Sequence, residues 1–132
     1  MKNFINGIIK TMDKIYITEG EIDALSLFES GIFSVCSVPN GANVGNQRLE
    51  YLDNCWEYFV DKKEIILCTD NDQAGLSLRK ELARRFGKGR CKYIDFGEYK
   101  DANEILINLG SAELRSVLDK PKNFPIEGVL NI

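Results

Sequence analysis

Glu19-Gly20-Glu21-Ile22-Asp23 follows the apolar run Ile15-Tyr16-Ile17, and Asp70-Asn71-Asp72 follows Ile65-Ile66-Leu67-Cys68. Each puts carboxylates at the end of a run that reads as a buried strand. In a parallel α/β sheet, ligands gather outside the carboxyl ends of the strands where the strand order reverses, so the two loops are expected to converge. Carboxylates held together repel one another, and a divalent cation is the usual remedy. All-oxygen ligands suit Mg²⁺ or Mn²⁺, whose shells are completed by water and substrate phosphates. The chemistry implied is phosphoryl transfer.

Each acid also has a plainer explanation. Glu19 and Asp23 complement the positive end of the helix that follows them, with Thr18 and Glu21 as a capping box. Asp72 suffices as a helix N-cap, which leaves Asp70 surplus, and two acids flanking one residue cost stability unless a cation or donors satisfy them. Asp101 caps a later helix, with Glu104 completing the box. Taken together, the three acidic loops fall at one edge of the sheet, and convergence favours a metal site built from Glu19, Asp23, Asp70, Asp72 and Asp101. The loop Pro39 to Asn46 opens on the same side, and around Asn40 and Gly41 its backbone N–H groups can approach a phosphate or base. Lys100 is a candidate contact to a nucleotide phosphate. Arg79, Lys80, Arg84, Arg85, Lys88, Arg90 and Lys92 surround a single acid, Glu81; a solvated helix face accounts for them by default, a nucleic-acid patch more sharply.

The elements that must position these groups alternate. Strands are predicted over Lys14–Thr18, Phe33–Val38, Glu64–Thr69 and Cys91–Phe96. Helices are predicted over Glu21–Ser30, with Ala24, Leu25 and Phe28 inward, over Gln47–Val60, and over Ala74–Phe86, with Leu78, Leu82 and Phe86 inward. Two short helices follow, Ala102–Leu109 and Ala112–Leu118. Gly31 and Gly87 are placed to end helices. This βαβαβαβα order predicts a four-stranded parallel sheet with helices on both faces. Residues 1–13 read as a helix left from an upstream segment, 14–118 as the domain, and 119–132, with Pro121, Pro125 and Gly128, as a linker or tail.

A chain of 132 residues fits one domain. Without any histidine, Ser-His, Cys-His and His-ligand mechanisms are excluded, so chemistry must come from carboxylates, lysines, tyrosines or a metal. A net charge of −3 does not suit a domain that grips DNA with its whole surface. Cys36, Cys55, Cys68 and Cys91 contain no CxxC pair and read as free thiols in a reducing cytoplasm. The apolar runs are too short to span a membrane, and no secretory signal is present.

At the acidic loops the chain resembles the Toprim domain, the metal-binding fold of bacterial-type primases, topoisomerases, recombination mediators and certain nucleases. A glutamate after the first strand, Asp-x-Asp after the third and a further acid after the fourth are matched by Glu19, by Asp70 with Asp72, and by Asp101. Thr18-Glu19-Gly20-Glu21-Ile22-Asp23, Asp72-Gln73-Ala74-Gly75 and Lys100-Asp101-Ala102-Asn103-Glu104 are most similar to the phage-type, Twinkle-like primase-helicases, and Pro125-Ile126-Glu127-Gly128 resembles the start of their connection to the helicase. Stand-alone bacterial primases tend to have a second aspartate where this chain has Asn103, which would hold a second metal more weakly.

The resemblance implies a Rossmann-like Toprim fold and Mg²⁺-dependent nucleotidyl transfer. Ribonucleoside triphosphates would be joined into RNA primers on a single-stranded DNA template during replication. Glu19, Asp70 and Asp72 would be catalytic, with Asp23 and Asp101 orienting the shell or taking a second ion. It also implies a domain cut from a longer primase-helicase and inactive by itself. Strand cleavage of the nuclease or topoisomerase type, and a binding module without catalysis, are the alternatives.

Overall fold

The computed structural model describes residues 13–38 and 62–125. The expected helix over 47–60, the N-terminal helix, the loop with Asn40 and Gly41, and the tail beyond Pro125 lie outside them. The described elements are β1 (Lys14–Thr18), α1 (Glu21–Glu29), β2 (Val35–Ser37), β3 (Glu64–Cys68), α2 (Gln73–Phe86), β4 (Cys91–Tyr93), α3 (Ala102–Leu109), α4 (Ser111–Leu118) and β5 (Lys122–Asn123).

The sheet order is β2-β1-β3-β4-β5, parallel except for the last pair. Period-two alternation sorts β1 and β3 between two cores. Ile15, Ile17, Ile65 and Leu67 face Leu78, Leu82 and Phe86 of α2. Tyr16, Ile66 and Cys68 face Leu27, Ile105, Leu114 and Leu118 of α1, α3 and α4. The α2 spacing is thus as expected, and its end at Gly87 needs that residue's φ of 95°. On α1 the inward residues are Asp23, Ser26 and Leu27 with Ala24 and Phe28 beside them, while Leu25 is exposed. In nine residues of mixed polarity, two adjacent faces fit the apolar pattern almost equally, and the sequence reading chose Leu25 in place of Leu27.

Two further expectations are corrected. No Thr18–Glu21 capping box forms: the N-cap of α1 is Gly20, without a side-chain cap, and the Thr18 hydroxyl donates to the Gly20 carbonyl at 3.1 Å. The stretch after Lys120 is not all tail, because Lys122 and Asn123 pair antiparallel with Tyr93 and Lys92, adding a fifth strand. Phe124 then stacks on Tyr93 with ring centroids 5.0 Å apart. Phe124→Ala is therefore expected to cost about 1–2 kcal/mol and lower the melting temperature by roughly 5 °C or more in thermal denaturation.

Candidate metal centre

β1 and β3 are adjacent, with Thr18 opposite Cys68, and the chain turns to opposite sides of the sheet after them. Their carboxyl ends therefore open onto the crevice where the strand order reverses. Three acids meet there: one carboxylate oxygen each from Asp23, Asp70 and Asp101 lies within 4.8 Å of the others. Asp23 comes from the first turn of α1, Asp70 from the end of β3, and Asp101 is the N-cap of α3.

Each group has a defined place. Glu19 is buried, and its Oε1 accepts the Asp70 backbone N–H at 2.8 Å. Asp72 is exposed and caps α2, its Oδ1 accepting the Gly75 N–H at 2.7 Å. Asp101 Oδ1 accepts the Glu104 N–H at 2.9 Å, so this residue is at once the expected cap and a member of the trio. Asp23 Oδ1 accepts the Asn103 N–H at 3.1 Å. Of the five acids expected at the metal site, Asp23, Asp70 and Asp101 bring an oxygen each within 4.8 Å of the others, and Glu19 and Asp72 each accept a backbone N–H beside them. Lys100 is exposed beside the cluster, and its charge opposes the upward shift of Asp23.

Burial and mutual repulsion crowd these carboxylates. Burial first, then the Glu19, Asp23, Asp101 and Asp72 charges, push the Asp70 carboxyl up to about 7. Burial first, then Asp101 and, less strongly, Glu19, push Asp23 up to about 6 against the Asn103 N–H and Lys100. Asp70 Oδ1 is buried without a hydrogen-bond partner. An orphaned carboxylate oxygen among other carboxylates is what a hard divalent ion satisfies, so the donor set fits Mg²⁺ or Mn²⁺.

Two contributors were missed in the sequence. A Cβ on Gly75 would lie 1.9 Å from the Asp70 carbonyl oxygen and 2.8 Å from Glu19 Oε1, so the first turn of α2 can pack against the acid loop only without a side chain there. The available signal was a glycine inside a helix, which costs about 1 kcal/mol against alanine and therefore calls for a reason. Asn71, read as the spacer of Asp-x-Asp, reaches across to the segment before Asp101.

The basic run is largely used within the fold. The Arg79 guanidinium is stacked over the Tyr93 ring at 4.3 Å, Arg84 pairs with Glu81, Arg90 donates to the Phe86 and Lys62 carbonyls, and Lys92 pairs with Glu64. Cys68 and Cys91 are buried free thiols, as expected. No helix among the described residues is long and apolar enough to cross a membrane.

A family model described as Toprim-like matches residues 16–106. The chain is 33% identical over 136 residues to a primase homolog protein of Arabidopsis thaliana, covering 90% of this chain and 40% of that protein. It is 32% identical over 140 residues to the chloroplastic/mitochondrial Twinkle homolog protein of the same plant, covering 93% of this chain and 20% of the relative. The chain thus spans well under half the length of these curated relatives. The crystal structure of the primase fragment of the bacteriophage T7 primase-helicase protein superposes with a TM-score of 0.67 at 32% identity, over 80% of this chain and 43% of that one. Sheet order, acid placement and these matches agree: the chain belongs to the Toprim-like family.

Proposed function

We propose that the chain is the metal-binding catalytic domain of a primase within a longer primase-helicase, serving Mg²⁺-dependent synthesis of RNA primers on single-stranded DNA. The observation that carries this reading is the meeting of Asp23, Asp70 and Asp101 around the unpartnered Asp70 Oδ1. The primase relatives and the T7 primase fragment support the choice of reaction.

Asp70, Asp23 and Asp101 would hold the ion, with Glu19 and Asp72 completing the acidic cluster directly or through water. A bound Mg²⁺ would neutralise triphosphate oxygens and offset charge developing on the leaving pyrophosphate. Glu19, which accepts the Asp70 N–H, would assist deprotonation of the primer hydroxyl. Lys100, and Asn40 and Gly41 of the glycine-rich loop, would contact nucleotide phosphates. Transesterification of the topoisomerase type would need a tyrosine nucleophile, and Tyr16, beneath the sheet's acid-bearing edge, is not free for that role. The Tyr16 hydroxyl is pushed up to about 12, chiefly by burial, and donates to the Leu118 carbonyl.

In Mn²⁺ calorimetry the 132-residue chain is expected to show saturable binding of modest affinity, since substrate phosphates complete the shell. The longer protein should make primers on single-stranded DNA while the isolated chain makes few or none. Nicking of supercoiled DNA by the isolated chain, without primer synthesis by the longer protein, would move the reading to a nuclease.

A further inference from the structure

Asn71 stands between two of the acids and contributes no carboxylate, yet it makes more cross-loop contacts than either neighbour. Its backbone N–H donates to the Lys100 carbonyl at 2.6 Å. Its side-chain Nδ2 donates to the Gly97 carbonyl at 2.6 Å and lies 3.4 Å from the Tyr99 carbonyl. These three acceptors belong to the segment that ends at Asp101, and the donors sit one residue after Asp70. The segment is irregular between Phe96 and Lys100, turning at Gly97 with φ 66°; buried Phe96 and the α3 N-cap hold its two ends, and the turn between them has no strand ladder of its own. The second side of the trio is tied differently: the Asn103 N–H reaches Asp23 Oδ1, and the Ser26 hydroxyl lies 3.3 Å from Asn103 Oδ1, joining α1 to the first turn of α3.

We infer that Asn71 is a positioning residue that sets the spacing between Asp70 and Asp101, and that the centre binds its ion tightly only while this amide clamp holds. The inference rests on the metal-site reading given above. Its physical content is a balance. Like charges favour separation of the two loops, and an irregular loop with exposed backbone yields easily to that repulsion. The clamp's donors hold the loops together in advance, so the ion need not supply the work of gathering its ligands. A residue chosen for this task must donate and must not be charged; asparagine does both, and aspartate of the same shape does neither.

The last point gives a test in which rival roles differ in sign. The full 132-residue chain, as wild type, Asn71→Ala, Asn71→Asp and Asp70→Asn, is titrated with Mn²⁺ by calorimetry, with circular dichroism confirming that each is folded. As a clamp, Asn71→Ala is expected to weaken Mn²⁺ binding about tenfold, within the range for outer-shell replacements. Asn71→Asp should weaken it as much or more, despite the added negative charge. The apo melting temperature should fall little in Asn71→Ala, because the lost hydrogen bonds are offset by relieved repulsion. If Asn71 instead serves as an oxygen ligand, Asn71→Asp will bind Mn²⁺ more tightly, and the clamp is overturned. Wild-type affinity in both Asn71 variants, alongside weakened Asp70→Asn, also overturns it and leaves the metal site standing. Failure of the wild type to bind Mn²⁺, with Asp70→Asn no different, removes the metal site and this inference with it.

Discussion

Asp70→Asn is expected to stabilise the metal-free chain and to abolish most of its affinity for Mn²⁺, two effects of opposite direction from one atom replaced. The carboxyl is raised to about 7 by burial and by four neighbouring acids, so in the folded state it holds its proton more firmly than in the unfolded chain. Linkage fixes the sign: a carboxyl raised on folding imposes no penalty below its unfolded value near 4, and its cost grows as pH rises through the folded value. Asp23, raised to about 6, adds to the same trend. The metal-free wild type should therefore lose stability between about pH 4 and pH 8, and Asp70→Asn should flatten that slope. Mg²⁺ would bind the ionised form, so the rise in melting temperature it produces should be larger at pH 8 than at pH 5.5 in the wild type. In Asp70→Asn the Mn²⁺ affinity should drop by more than about a hundredfold, beyond what outer-shell changes usually cost. Asp72→Asn is the informative companion, since asparagine caps a helix as well as aspartate and any loss of affinity then belongs to the charge. Scanning calorimetry across pH, with and without Mg²⁺, reads all of this; a metal-free wild type whose stability rises from pH 5 to pH 8 would contradict the crowded-carboxylate account.

Among the glycines of the described residues, Gly75→Ala is expected to be the most damaging. In an ordinary helix the change gains about 1 kcal/mol, because alanine is the better helix former. Here the new Cβ would meet the Asp70 carbonyl oxygen at 1.9 Å and Glu19 Oε1 at 2.8 Å, and the first of these is backbone that cannot swing aside. Either α2 lifts from the sheet or the Asp70 loop is displaced. A destabilisation of about 3 kcal/mol, with a fall in melting temperature of roughly 10 °C or more, follows from forced overpacking. Metal affinity should fall too, since Asp70 moves relative to Asp23 and Asp101. The sign decides the matter: urea unfolding that shows Gly75→Ala equal to or more stable than wild type would mean that α2 and the acid loop do not approach this closely.

These residues also show where the sequence was legible. Leu78, Leu82 and Phe86 recur at one helical face, and a fourteen-residue helix gives that pattern enough turns to be unambiguous. The nine residues of α1 do not: the apolar pattern fits Leu25 inward as well as Leu27, and the structure buries Leu27 and exposes Leu25. Ile65-Ile66-Leu67-Cys68 announced a strand covered on both faces, and the acids after it announced the site. The internal arrangement of the site depends on loops meeting across the sheet, and no local pattern encodes that. Asp23 outranks Asp72 in proximity because α1 begins tight against β1, and Asn71 gains its role from carbonyls some thirty residues ahead. β5 went unread because a two-residue strand between Pro121 and Pro125 has no alternation to detect; its only marks are the backbone pairing and the Phe124 ring.

That last strand carries a mechanical consequence. β5 runs antiparallel to β4, so the chain at Phe124 is heading toward the sheet margin opposite the acids. A pull along the strand axis, applied to a polypeptide joined beyond it, would be met first by this edge. It would load the two residue pairs with β4 and the Phe124–Tyr93 stack together, in shear, instead of peeling them one at a time. Tyr93 in turn lies under the Arg79 guanidinium, and Arg79 belongs to the helix whose first turn abuts the Asp70 loop. Tension from a neighbouring unit would thus meet its first resistance at one margin of the sheet, and the acid-bearing margin would feel it through the β4–β3 pairing and the tilt of α2.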